Sequence, residues 1–272
     1  MRTTRLKMYA GSLLLVAAIS LLSACRRDKN NDTDTKEDTG YTTDQNLTEK
    51  IFDDAQTMSD KGAVVTGSGA FKTTACGSVT HAAGTFTIDF GSVNCLCSDG
   101  RNRRGKIIVN YTGAYADSGS VHTITFDNYY QNDNKVEGTR TVTNMGHNSA
   151  GQPYFNVMVN GTITKTDGSV ITTNFTRTRT WTAGYTTLLN WTDDVYQITG
   201  AGTMTRPSGT VSVSITSPLM LALNCRWIQA GTIVYTLPSS LTRTLNYGAT
   251  AACDDQATLT LPSGTVYTIT LP

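Results

Sequence analysis

Apolar and polar side chains alternate residue by residue through most of this chain, and a period of two commits it to β structure. Phe155, Val157, Val159, Gly161 and Ile163 share one parity. Ile171, Phe175 and Trp181 share another, against Thr172, Asn174, Thr176, Thr178 and Thr180. Ile107, Val109 and Tyr111 repeat the pattern. Successive side chains of a strand point to opposite faces, so this alternation makes one face buried and the other wet. Composition agrees. Thr is about one residue in six, while Glu occurs only at 37, 49 and 137. Strands favour Thr and other β-branched residues, helices favour Glu, Lys, Ala and Leu.

Turn chemistry separates the alternating runs. Asp167-Gly168 lies between two of them, and Asp-Gly is a strong hairpin signal. The stretch 161–170 is matched by 202–211 and 257–266, each reading as strand, tight turn, strand. Their unequal spacing argues against a regular solenoid. The expected fold is therefore all-β: one large antiparallel meander of about a dozen strands, as a curved sheet or a sandwich. Many strands carry Thr on one face and a mixture on the other, unlike the uniformly apolar outer face of a membrane barrel.

One short helix precedes the strands. Asn46-Leu47-Thr48-Glu49 has the form of a capping box. Leu47, Ile51, Phe52, Ala55 and Met58 then fall on one helical face, predicting a helix over 47–60, with Gly62 beyond it as a stop. Residues 25–45 are almost devoid of apolar side chains and are expected to form a flexible tether. The β domain with its helix is expected over 46–272.

The N-terminus carries an address. Arg2, Arg5 and Lys7 precede an apolar run from Leu13 to Leu22, and Leu22-Ser23-Ala24-Cys25 closes it. A charged start, an apolar middle and small residues at the end are the parts of an export signal. The last four residues resemble the lipobox of bacterial lipoproteins. That resemblance implies removal of residues 1–24, acylation of Cys25, and a membrane as partner in the cell envelope, most naturally the outer membrane. The acidic residues Asp28, Asp32, Asp34, Glu37 and Asp38 resemble the surface-export signals of Bacteroidota lipoproteins; a solvated linker has the same composition. The whole chain is similar to β-rich lipoproteins of that group, a likeness that carries no activity with it.

Export also bears on the cysteines. Cys76, Cys95, Cys97, Cys225 and Cys253 would sit in an oxidising compartment, where structural disulfides persist. Cys225 and Cys253 form one expected pair. Cys95 and Cys97 share a strand face and compete for Cys76, leaving one thiol over. Cys-x-Cys without a nearby His is weak spacing for zinc.

Motifs for chemistry are sparse. His81, His122 and His147 fall in no metalloprotease pattern, and the chain has neither a nucleophile elbow nor a phosphate loop. The 22 basic and 21 acidic residues are nearly balanced and form no basic stripe, so nucleic acid is not an expected partner, nor is any cofactor. Asp193-Asp194 and Asp254-Asp255 suit turns better than glycosidase chemistry, since adjacent residues on a strand diverge. The polar stretch 127–134 offers oxygen ligands without calcium-loop spacing. The densest recognition candidate is Trp181, Tyr185, Trp191, Asp193, Asp194 and Tyr196, where rings beside carboxylates suit a sugar. The same aromatics also suit the cap of a β core. The functions that follow are an envelope binding or scaffold lipoprotein, with a glycan or another envelope protein as partner, a glycan-binding form of it, or a cell-envelope hydrolase. A lipid carrier would require an apolar-lined cavity.

Overall fold

A computed structural model describes residues 29–64, 76–187 and 190–271. Cys25 and the signal expected at 1–24 lie outside the described residues. The chain forms α1 (Lys29–Val64) and then fourteen strands: β1 (Ser78–Ala82), β2 (Thr85–Asp89), β3 (Cys95–Leu96), β4 (Asn102–Tyr111), β5 (Val121–Gln131), β6 (Asn134–His147), β7 (Pro153–Thr164), β8 (Val170–Ala183), β9 (Val195–Arg206), β10 (Gly209–Ala222), β11 (Ala230–Thr236), β12 (Thr242–Asn246), β13 (Gln256–Thr260) and β14 (Val266–Thr270). All belong to one antiparallel sheet in sequence order, with β1 and β14 at its edges and β3 set aside against β4. The all-β meander is thus found as a single curved sheet, and the sandwich alternative falls away.

The parity of the sequence is the parity of the sheet. Phe155, Val157, Val159, Gly161 and Ile163 are all buried, as are Ile171 and Phe175, while Thr172, Asn174, Thr176 and Thr178 face water. The three related stretches are the β7–β8, β9–β10 and β13–β14 hairpins. The polar stretch 127–134 holds the β5–β6 turn, where Asn132 and Asp133 adopt positive φ of 48° and 62°. Asn and Asp tolerate that left-handed conformation better than most residues.

The helix departs from expectation. It starts at Lys29 instead of residue 47, so the stretch expected as tether is helical from that point, and Tyr41, Thr42, Asp44 and Gln45 are buried. From residue 41 onward the reason lies in the sheet, which curls around α1 and meets it on several sides. Phe52 packs edge-on against Phe126 of β5, with ring centroids 5.9 Å apart. Phe52 also sits over Gly161 of β7, where a Cβ would fall 2.0 Å from its Cζ; glycine makes this approach possible. Asn46 accepts a 2.9 Å hydrogen bond from the Tyr247 hydroxyl, just beyond β12. Tyr41 lies 3.2 Å from Ser208 in the β9–β10 turn. A helix gripped in this way has polar flanks satisfied by protein instead of water.

Two disulfides fasten the loops. Cys225 and Cys253 are paired with Cα atoms 5.7 Å apart. Cys76 pairs with Cys95 at 5.6 Å, and Cys97 is the remaining, buried thiol. Both separations lie within the usual range for a disulfide.

Candidate functional site

The expected aromatic cluster comes together at the ends of β8 and β9. Trp181 and Tyr196 are cross-strand partners, stacked with centroids 5.5 Å apart and planes at 25°. Tyr185 meets Trp181 edge-on at 6.4 Å. The Arg179 guanidinium lies 3.6 Å from the centre of the Tyr196 ring. Trp181 is half-buried and packs on the core, and Tyr196 is 4% exposed, so the rings serve one another and the interior. Trp191 opens a 3-10 helix, Trp191–Asp193, but its side chain lies outside the described residues. Asp193 is exposed and accepts a hydrogen bond from the Thr187 hydroxyl. Asp194 is buried, with its Oδ1 2.3 Å from where a Cβ on Gly184 would stand. Burial and then the neighbouring Asp193 charge push its carboxyl up to about 6, against the pull of Trp181, Tyr196 and Arg179. The group titrates near neutrality, but the packed rings leave little aromatic face open for a sugar.

A second constellation was hidden in the sequence. Four carboxylates on α1 point to different sides, and each meets cations from a different part of the sheet. Asp44 pairs with Lys165 at 3.0 Å and with Arg206 at 2.8 Å. Glu49 accepts from Arg177 at 3.0 Å, and Asp53 pairs with Arg140 at 2.9 Å. Asp54 accepts from Arg103 Nη2 at 2.6 Å and Nε at 3.2 Å, with Arg101 at 3.3 Å. Arg103 is fully buried and also donates to Asp99 at 2.9 Å. Burial outweighs the arginines at Asp54 and raises its carboxyl above the ordinary value. Hydrogen bonds from Arg103 and Arg101 overcome the burial of Asp99 and hold it well below the carboxylate range. Buried ion pairs contribute little net stability over an apolar core, but removing one partner is costly.

Beside this ladder α1 leaves a cleft of about 900 Å³. One wall is α1 itself, with Asn46, Lys50, Thr57 and Met58. A second is the β3–β4 turn, from Cys97 to Arg101. The third is the loop after β10, Leu223 to Ile228, which Cys225 pins to Cys253. Phe90, Leu221 and Leu271 complete it. Its carboxylates, Glu49, Asp53, Asp54 and Asp99, are all engaged by arginines. Lys50 and Arg226 have no carboxylate partner among the described residues. Burial, then the charges of Arg226 and Arg101, bring the Lys50 ammonium down to about 8. Arg226 is exposed and lies 5.7 Å from the Trp227 ring centre. The Trp227 indole N–H is a buried donor without a hydrogen-bond partner. The volume falls in the range of small-molecule sites, which pair apolar walls with a few placed polar groups.

Sequence reasoning missed Lys50, Arg226 and Trp227 because nothing local joins them; three distant segments converge. A signal for the ladder did exist. Arg177 and Arg179 share the parity of Phe175 and Trp181, so each arginine occupies a core-facing strand position and demands an anion. Elsewhere, His122 is buried on β5 with Nε2 3.1 Å from the Gly113 carbonyl, and the Asp254 carboxylate accepts from the Gln256 amide as a turn residue. Among the described residues no group of three side chains is placed to hold a metal ion. No helix among them is long and apolar enough to cross a membrane. No protein family, curated protein or solved structure matches this chain.

Proposed function

We propose that this protein is an envelope lipoprotein, anchored through an acylated Cys25, whose β domain is a binding module with the cleft beside α1 as its ligand site. The anchor rests on the Leu22-Ser23-Ala24-Cys25 lipobox and the charged, apolar run before it. The observation that carries the binding reading is the cleft itself. It combines apolar walls, fully engaged carboxylates and two cations that have no carboxylate partner among the described residues, an arrangement suited to a bound anion. The sheet, the helix and the Cys225–Cys253 disulfide hold its three walls in fixed relation, as preorganised binding requires.

Two experiments test the two halves. Cys25→Ser is expected to abolish acylation by mass spectrometry and to prevent cleavage before residue 25; an acylated, cleaved variant would refute the anchor. For the cleft, native mass spectrometry of the full chain extracted from its envelope is expected to reveal a retained small molecule. Leu223→Trp, which pushes an indole from the loop wall into the cleft, is expected to expel it. A parent protein that carries nothing and a variant that behaves identically would refute the binding module.

A further inference from the structure

We infer that the cleft beside α1 takes an anionic amphiphile, its carboxylate or phosphate head held between Lys50 and Arg226 and its acyl chain laid along the apolar floor. This deepens the binding-module reading and rests on it. The sign of the ligand's charge follows from the bookkeeping of partners. Glu49 is engaged by Arg177, Asp53 by Arg140, and Asp54 and Asp99 by Arg103 and Arg101. What remains in the cleft is positive: Lys50, half-buried on α1, and Arg226, exposed on the facing loop. Lys50 is held there against its own preference, since burial and two neighbouring guanidinium groups disfavour its charged form. An anion between the two cations removes that repulsion and supplies a counterion that no carboxylate among the described residues provides. A cation or a neutral sugar would leave the repulsion in place.

The second half of the ligand follows from the walls. Leu221, Leu223 and Ile228 line the cavity with partly exposed side chains, backed by the buried Met58, Phe90 and Leu271, and about 900 Å³ is far more than a bare phosphate or acetate would fill. A small anion would leave that apolar surface in water, whereas an acyl chain would cover it and gain by doing so. Head and chain thus each answer a feature that the fold leaves unmet. Trp227, beside Arg226, adds a ring and an unpartnered N–H at the same wall.

The test uses the full chain held in phosphatidylcholine nanodiscs, with nanodiscs lacking protein as the baseline. Decanoate and decyl phosphate are titrated beside decanol, which has the chain without the charge, and beside acetate and inorganic phosphate, which have charge without chain. At least one ten-carbon anion is expected to saturate a single site, with decanol and the small anions at least about tenfold weaker. The tighter of the two anions identifies a carboxylate or a phosphate head. Lys50→Met with Arg226→Gln is expected to weaken the anion at least about tenfold and leave decanol unchanged, while Lys50→Arg retains binding. Should the double variant melt early, the ammonium of Lys50 in the parent chain is followed by NMR instead. Saturating decanoate or decyl phosphate is expected to raise its pKa from about 8. Equal affinity for decanol and both anions, an unaltered double variant, or a Lys50 titration that ligand does not move would each overturn the inference. If a retained molecule is still expelled by Leu223→Trp, the failure is of the ligand class; if neither is found, the binding module fails with it.

Discussion

Replacing Arg103 by Met should cost this domain about 3–5 kcal/mol, the range for stripping one partner from a buried pair. Arg103 has no exposed side-chain surface, and its guanidinium donates to Asp54 at 2.6 and 3.2 Å. Only 6% of the Asp54 side chain is exposed, so its charge has almost no water to fall back on. Arg101 would remain, at 3.3 Å and with a partly exposed side chain. The loss is a large fraction of the ~5–15 kcal/mol that holds a typical domain together. Two signatures separate this cause from a mere packing defect. First, Asp54→Leu in the Arg103→Met background should recover much of the loss, because the orphaned charge leaves with it. Second, the loss should depend on pH. Asp54 already has a raised carboxyl pKa in the folded state, and without Arg103 it rises further. A group raised on folding contributes stability that is fully present below its unfolded pKa and lost as pH climbs through the folded value. The Arg103→Met protein should therefore be less impaired in mild acid than at neutral or alkaline pH. Urea unfolding followed by circular dichroism at several pH values measures all of this. Equal destabilisation in the single and double variants, with no difference in pH slope from the parent, would refute the reasoning.

Three further outcomes are expected. Gly161→Ala places a methyl against Phe52, at 2.0 Å from Cζ, and should cost about 1–3 kcal/mol by urea unfolding, with Phe52→Leu in the same chain relieving most of it. Asp194 is held up to about 6, so its contribution favours the folded state below about pH 4 and fades as pH rises through 6. Asp194→Asn should flatten that part of the Tm-against-pH curve, and an unchanged slope would place the titration elsewhere. Removing Cys225 and Cys253 together opens a loop of 28 residues and should cost about 3–4 kcal/mol in the chain-entropy account, while loosening one wall of the cleft. A double serine variant with parent stability and parent ligand affinity would contradict both parts.

The fold class was legible because it is written at short range. Alternation in 155–163 and 171–181 shows which face is buried, and Asp167-Gly168 shows where the chain reverses. The Cys225–Cys253 pair was legible from the cysteine count together with the expectation of export. The true extent of α1 was not. Asp44 reads as a solvated tether residue and Glu49 as part of a helix cap, because the groups that satisfy them stand far along the chain: Lys165 is 121 residues from Asp44, and Arg177 is 128 from Glu49. A polar stretch is disordered only if nothing distant answers it, and composition cannot report a distant partner. The aromatic cluster around Trp181 is legible as a cluster, but sequence leaves a sugar surface and the cap of a β core both open. Stacking on Tyr196 turns the rings to each other. Lys50 and Arg226 escaped notice because a site made by convergence has no spacing to recognise.

The position of the helix also sets an order of events in folding. Every strand from β4 to β14 pairs with its sequence neighbour, so the sheet can grow hairpin by hairpin with short loop closures, the quick route for β topology. The helix can meet β4 and β5 early, through Arg103 and Phe126, but its enclosure is completed late. Asn46 must wait for Tyr247, 201 residues downstream, and Asp44 must wait for Lys165. Of the described elements, the first in the chain is therefore the last to be fully enclosed. During that delay its apolar stripe, Ile51, Phe52, Ala55 and Met58, is a hazard, open to any exposed strand edge or neighbouring chain. A helix studded with Asp44, Glu49, Asp53 and Asp54 stays hydrated until the arginines are in place. Its charges, which add little to the finished structure's stability, keep it out of wrong contacts while the chain is incomplete.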